Sequence, residues 1–185
     1  MQVDTATGLL DAAQRRLSPH CDPRPAPSAI DLLVLHGISL PPGEFGGPWI
    51  DALFAGTLDC TAHPYFTSLV GLRVSAHLLI CRDGTLLQYV PFIQRAWHAG
   101  ASSFEGRANC NDFSIGIELE GDDHTPYSDA QYQTLTPVVR SLVLAYPRIT
   151  PTRIVGHSDI APDRKTDPGA AFDWRRLRVS LTSAQ

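Results

Sequence analysis

Four consecutive apolar residues, Leu32-Leu33-Val34-Leu35, run straight into a histidine, His36. An extended segment that is apolar at every position buries both faces, which puts it in the middle of a sheet rather than at an edge. The stretch 31–36 therefore reads as a central strand. A second apolar strand, about 153–156, carries Ile154-Val155 and ends just before His157. Ser75–Cys81 and Thr85–Val90 flank Asp83-Gly84, a strong hairpin signal. A short helix is expected over Pro48–Phe54, with Pro48 in its first turn. Ser128-Asp-Ala-Gln131 resembles a capping box, and Tyr132, Leu135, Val139, Leu142 and Tyr146 follow it at helical spacing. Pro137 falls inside that helix, and a kink is expected there. A last helix, Asp173–Ser180, offers Trp174, Leu177 and Leu181 as its apolar edge. The order β, loop with short helices, hairpin, β, α, β, α predicts an α/β (α+β-like) chain with a single mixed central β-sheet flanked by helices.

The strand Phe113–Leu119 is amphipathic. Phe113, Ile115, Ile117 and Leu119 share one face, while Ser114, Gly116, Glu118 and then Glu120 share the other. The apolar set is expected to face the core, so Glu118 points away from it. Gly116 marks a close approach by a ligand or another backbone. Residues 1–28 are weakly patterned and end in Pro19, Pro23, Pro25 and Pro27, which suggests an N-terminal surface arm. Residues 29–185 are read as one domain, a size that can bury a real core.

Charge and cysteine usage exclude several classes. The formal net charge is -4, and no Lys/Arg run occurs, so neither nucleic acid nor a membrane surface is an expected partner. No apolar run reaches membrane-spanning length, and the first residues lack a basic segment followed by an apolar one, so no signal peptide is read. Cys21, Cys60, Cys81 and Cys110 form no C-x-x-C pair. Free thiols in a reducing compartment are expected, hence a cytoplasmic protein, and a monomer.

Chemistry concentrates in Gly156-His-Ser-Asp-Ile-Ala-Pro-Asp-Arg-Lys-Thr-Asp-Pro-Gly169. A histidine at a strand end with an aspartate ten residues on supplies two donors of a catalytic zinc site, and His36 at the end of the other apolar strand supplies a third. Three protein ligands, His36, His157 and Asp167, leave a fourth position open for reaction. His63 before Pro64 suits a turn cap, His77 a hydrogen-bonded core position, and His98 a place lining the cleft. His20 and His124 fall in polar loops and are expected to be solvated. Glu118 is the candidate general base, and Glu120, two residues on and on the same face, competes with it. Lys165 has the charge to steady an oxyanion, or it is simply a solvated loop lysine. Gly156-His-Ser158 opens like a nucleophile elbow, but Ile160 stands where that turn needs its second glycine.

Longer motifs then point to a family. His36-Gly-Ile-Ser-Leu-Pro-Pro-Gly-Glu-Phe-Gly-Gly-Pro-Trp49, Arg73-Val-Ser-Ala-His77, Ala96-Trp-His-Ala-Gly100, Asn111-Asp-Phe-Ser-Ile-Gly-Ile-Glu-Leu-Glu-Gly121 and the 156–169 loop together resemble the anhydro-N-acetylmuramoyl-L-alanine amidases of cell-wall recycling. These zinc amidases share a fold with the peptidoglycan recognition proteins, and the resemblance spans about residues 17–178. It implies a peptidoglycan recognition protein-like amidase fold and one catalytic zinc held by His36, His157 and Asp167. It implies Glu118 and Lys165 as the catalytic pair. The implied substrate is an anhydro-muramyl peptide, cut between the lactyl group and L-alanine. Trp97 and His98 are then candidates to line the substrate site, and Arg73 and Arg107 candidates for the carboxylates of the stem peptide. A binding module on the same fold, without catalysis, would not need Asp167, Glu118 and Lys165, and all three are present.

Overall fold

Leu32–Ile38 is a strand whose first five residues are all buried, as an unbroken apolar run demands. The computed structural model describes residues 1–26 and 28–182. Its strands, in chain order, are β1 (Val3–Asp4), β2 (Leu9–Leu10), β3 (Gln14–Arg15), β4 (Cys21–Pro23), β5 (Leu32–Ile38), β6 (Leu78–Ile80), β7 (Leu86–Gln88), β8 (Gln94–Ala96), β9 (Ser103–Phe104), β10 (Arg107–Ala108), β11 (Ser114–Glu120) and β12 (Ile154–Gly156). The helices are α1 (Trp49–Ala55), α2 (Asp129–Ala145), α3 (His157–Ile160) and α4 (Trp174–Thr182). The main sheet has the order β12-β5-β11-β6-β7-β3. β12, β5, β11 and β6 run parallel, and β7 turns back on β6 through the Asp83-Gly84 hairpin, so the sheet is mixed as expected.

Register sorts the side chains between two faces. Leu33, Leu35, Ile115, Ile117, Leu119, Leu78 and Ile80 pack with Leu135, Val139 and Leu142 of α2 and Leu177 of α4. Burying each such side chain contributes about 1.5–3 kcal/mol. The opposite face carries Leu32 and Val34 with Ala99, Phe113 and Ile160, and farther along Leu79 and Leu87 with α1 residues Ile50, Leu53 and Phe54. His36 and Glu118 belong to this second face, because they follow Val34 and Gly116 at alternate positions.

The α2 start has the expected capping box: the Ser128 hydroxyl accepts from the Gln131 amide, and the Gln131 carbonyl accepts from the Ser128 amide. The Gln131 side-chain Nε2 donates to Ile80 O (3.2 Å) and Glu120 O (2.9 Å), which ties the helix to the sheet end that carries the site. α2 is continuous through Pro137. The carbonyl that loses its partner to proline belongs to Gln133, on the exposed side of the helix.

Two expectations are corrected. Residues 1–28 are not an arm on the surface. β3 pairs with β7 at the sheet edge, β4 pairs with β8, and Leu10 is 2% exposed within the core. Arg24 is half-buried and donates to the carbonyls of Phe92, Asn111, Asp112 and Ser114. Strands of two or three residues are too short to show an alternation, which hid them. Pro27 and residues 183–185 lie outside the described residues. The second correction concerns 113–119: β11 starts at Ser114, Phe113 packs with Leu32 and Val34 rather than with Ile115, and all seven residues of β11 are buried, because β5 and β6 flank it and both faces are covered.

Candidate active site

Three donors converge at the C-terminal ends of the parallel strands, where open α/β sheets place their clefts. His36 comes from the last third of β5. His157 follows β12 directly and starts α3, whose Asp159 side chain accepts from the Gly156 amide at 2.7 Å. The chain then loops back, and the Ser158 amide donates to the Asp167 carbonyl at 3.0 Å, which brings Asp167 beside His157. Nδ1 of His36 lies 3.0 Å from Nδ1 of His157 and 3.2 Å from Oδ2 of Asp167, and the third side of the triangle is 3.1 Å. The group is the one set of three His, Cys, Asp or Glu side chains among the described residues placed to hold a metal ion.

The residues fit zinc. The Ala99 carbonyl can only accept, and it lies 3.1 Å from Nε2 of His157, so the neutral ring carries its proton there and presents a bare Nδ1. A bare imidazole nitrogen, a second imidazole nitrogen and a carboxylate oxygen then face one another, which a cation resolves. Two nitrogens and one oxygen are ordinary zinc donors. Burial pulls His36 down to about 4 against its hydrogen bond to Asp167, so it is a neutral, metal-competent base near neutrality. Burial also pushes Asp167 up, but its close contacts with the His157 and His36 rings outweigh it and hold the carboxyl well below the usual carboxylate range.

Glu118 and Glu120 part company here. Both oxygens of Glu120 are committed: one accepts from the Gly46 amide, the other from the Arg82 amide at 3.0 Å. Glu120 thus tethers the loop after β5. Glu118 is 9% exposed, and its Oε2 is buried with no hydrogen-bond partner among the described residues. Burial first, then the nearby Asp167 charge, push its pKa well above the ordinary value, with Lys165 pulling the other way. Glu118, Trp97, His98, His157, Lys165 and Asp167 line one cleft, with Tyr65 and Leu72 on its apolar wall.

The other candidates separate by place. His98 is in the cleft wall, but both ring nitrogens are occupied, by His36 at 2.8 Å and by Ser114 at 3.0 Å, so it offers substrate no free nitrogen. Trp97 is stacked on His20, with ring centroids 5.9 Å apart, and His20 is accordingly half-buried rather than solvated. Arg73 is exposed in an adjoining cleft that shares Leu53, Leu69 and Leu72 with the first. Arg107 is corrected: it pairs with Asp31 and lies over the Phe113 ring, at the opposite end of β5 from His36. His77 is the buried core histidine expected, accepting at Nδ1 from the Gly116 amide, and His63 caps its turn. His124 is exposed. Ser158 makes no hydrogen bond to a histidine among the described residues, which leaves a serine nucleophile without a base.

Sequence reasoning missed Asn111, Ser114, Tyr127 and Arg164. Arg164 donates to the Ala99 and Ala101 carbonyls, and the Tyr127 hydroxyl donates to the Pro168 carbonyl beside Asp167. The one signal was glycine: a Cβ at Gly37 would lie 2.3 Å from the Tyr127 oxygen, and one at Gly116 would lie 2.4 Å from Cγ of His98. An empty side-chain position announces a close neighbour without naming it.

The family model described as N-acetylmuramoyl-L-alanine amidase matches residues 26–170. With the sheet and site in place, the chain belongs to the N-acetylmuramoyl-L-alanine amidase family. Within that family it is similar to 1,6-anhydro-N-acetylmuramyl-L-alanine amidase AmpD of Escherichia coli (strain K12), with 63% identity over 175 residues and 95% of each chain covered. AmpD of Haemophilus influenzae is 54% identical over 178 residues, covering 96% of this chain and 97% of its own. A crystal structure of a selenomethionine AmpD derivative matches with a TM-score of 0.94 and 60% identity, over 98% of this chain and 100% of that one. AmiD of E. coli was solved in complex with the substrate anhydro-N-acetylmuramic acid-L-Ala-D-gamma-Glu-L-Lys. It matches with a TM-score of 0.61 and 31% identity, over 96% of this chain and 65% of that one. The fold is the amidase fold expected.

Proposed function

We propose that this chain is a zinc-dependent amidase that hydrolyses the bond between the lactyl group of anhydro-N-acetylmuramic acid and the L-alanine of a muropeptide. The observation that carries the reading is a buried Glu118 oxygen, unpartnered among the described residues, in the cleft lined by His157 and Asp167 of the His36–His157–Asp167 triangle. Support for the substrate comes from the AmpD relatives and from AmiD, whose solved complex holds an anhydro-muramyl peptide. His36, His157 and Asp167 would hold the ion. Zinc, when bound, supplies Lewis acidity that polarises a carbonyl and acidifies water.

The chain's own residues do the rest. Glu118 takes a proton from the attacking water and passes it to the leaving amine of L-alanine; its raised pKa suits both halves of that transfer. Lys165, half-buried in the same cleft, steadies the oxyanion. Trp97 and the apolar wall formed by Tyr65 and Leu72 suit a sugar face. Arg73, in the adjoining cleft, remains the candidate for a stem-peptide carboxylate. The place in the cell is cytoplasmic recycling of wall fragments by a monomer, a reading that the four free cysteines suit. No helix among the described residues is long and apolar enough to cross a membrane. Digestion of a defined anhydro-muramyl peptide, with and without chelator, followed by mass spectrometry tests the reading. Release of the free peptide only in the untreated sample is expected; release that survives full removal of zinc would overturn it.

A further inference from the structure

His98 is 8% exposed, and both of its ring nitrogens have partners. Nδ1 lies 2.8 Å from Nε2 of His36, and Nε2 lies 3.0 Å from the Ser114 hydroxyl. Gly116 clears the ring's seat on β11, since a Cβ there would meet Cγ of His98 at 2.4 Å. The backbone is held too: Oδ1 of Asn111 accepts from the amides of His98 (3.1 Å) and Ala99 (2.8 Å). Ala99 in turn presents its carbonyl 3.1 Å from Nε2 of His157. One dipeptide therefore meets the outer nitrogen of both histidines whose Nδ1 atoms converge on Asp167.

Proton placement follows from the inventory of donors and acceptors. A nitrogen that ligates a metal carries no proton, so a His36 that ligates through Nδ1 carries its proton on Nε2. That proton faces Nδ1 of His98, which must accept it. His98 then carries its own proton on Nε2 and donates to the Ser114 oxygen. We propose that His98 is a positioning residue for the metal site: its Nδ1 accepts the outer proton of His36 and so sets the ring plane and tautomer that aim His36 Nδ1 at the ion, while the Ala99 carbonyl does the same for His157. This inference rests on the zinc reading above. Ligating histidines usually donate their outer proton to a carboxylate, a carbonyl or water. Here one of the two acceptors is a neutral imidazole anchored on a serine.

Two measurements other than turnover test it. In competition against a chromophoric chelator, His98→Leu should bind zinc roughly ten- to a hundredfold more weakly than the unaltered protein. His98→Asn, whose side-chain oxygen reaches the place of Nδ1, should recover most of that loss. Equal affinity of His98→Leu and the unaltered protein would overturn the inference, as would a loss in His98→Asn as deep as in His98→Leu. An unaltered protein that binds no zinc sinks the proposed function itself, a distinguishable result. Long-range proton–nitrogen NMR of the zinc-loaded unaltered protein decides the matter even if His98→Leu does not fold. A proton on Nε2 alone, in both His36 and His98, supports the assignment; a proton on Nδ1 of His98 overturns it.

Discussion

Glu118 and His36 are register partners on the neighbouring parallel strands β11 and β5. Paired residues in a parallel ladder project to the same side, with the strands about 4.8 Å apart. Backbone pairing alone therefore sets a carboxyl beside a candidate metal-ligand imidazole, and no flexible loop has to bring them together. Placing the site on rigid strands matters because catalytic groups lose effect quickly when misplaced.

Asp167→Ala should release zinc and abolish turnover. The donor triangle loses the anionic corner that both Nδ1 atoms meet, at 3.2 and 3.1 Å. Metal content after gel filtration and a turnover assay check this; stoichiometric zinc with full activity would rule out Asp167 as a ligand.

Glu118→Ala should keep zinc and lower turnover by about two to four powers of ten, the usual general-base contribution. Glu120→Ala should act on stability instead, because it leaves the Gly46 and Arg82 amides without their acceptor. Loss of such bonds costs about 1–3 kcal/mol. Urea unfolding and steady-state kinetics on both variants separate the two roles, and a reversed pattern would make Glu120 the base.

Lys165→Ala should move the acid limb of the kcat/KM profile to higher pH. Glu118 must be deprotonated to accept a proton, so activity rises as pH climbs through its pKa. Lys165 pulls that pKa down, and removing the lysine lets burial and Asp167 push it further up. An acid limb that stays in place or moves down would contradict the proximity of the two charges.

Gly37→Ala should destabilise the protein by about 1–3 kcal/mol, the cost of overpacking a filled site. The new Cβ would stand 2.3 Å from the Tyr127 oxygen, which donates to the Pro168 carbonyl. In a Tyr127→Phe background the same change should cost clearly less, because the clashing atom is gone. A double-mutant cycle in thermal unfolding measures the coupling, and additive effects would disprove it.

The metal-free protein should lose stability as pH falls below about 6.5. Burial holds His36, His77 and His98 below the ordinary histidine value, His36 at about 4. Unfolding returns each ring to about 6.5, so below that pH the unfolded chain binds more protons than the folded one. The stabilisation is complete above the unfolded value and is lost as pH drops toward the folded ones. Each histidine contributes a slope of at most about 1.4 kcal/mol per pH unit. Denaturant unfolding of chelator-treated protein between about pH 7.5 and 5 checks the sign.

What the chain's sequence determined by itself was the part carried by short-range pattern. The apolar run 32–35, the Asp83-Gly84 turn and the Ser128–Gln131 box all act on their own neighbours, and β5, the β6–β7 hairpin and α2 stand where those patterns put them. The candidate metal donors were legible because His36 and His157 each come directly after an apolar run. Tertiary structure decided the rest, because it depends on which residues are brought together from far along the chain. Register and loop return made Glu120 a tether and left Glu118 unpartnered, although alternation had given both the same face. Packing also made the cleft-lining His98 a neighbour of His36, from 62 residues away. It also took Arg107 to the far end of β5, onto Asp31. Side-chain periodicity names a face, and only the folded sheet says what the opposite wall of that face is made of.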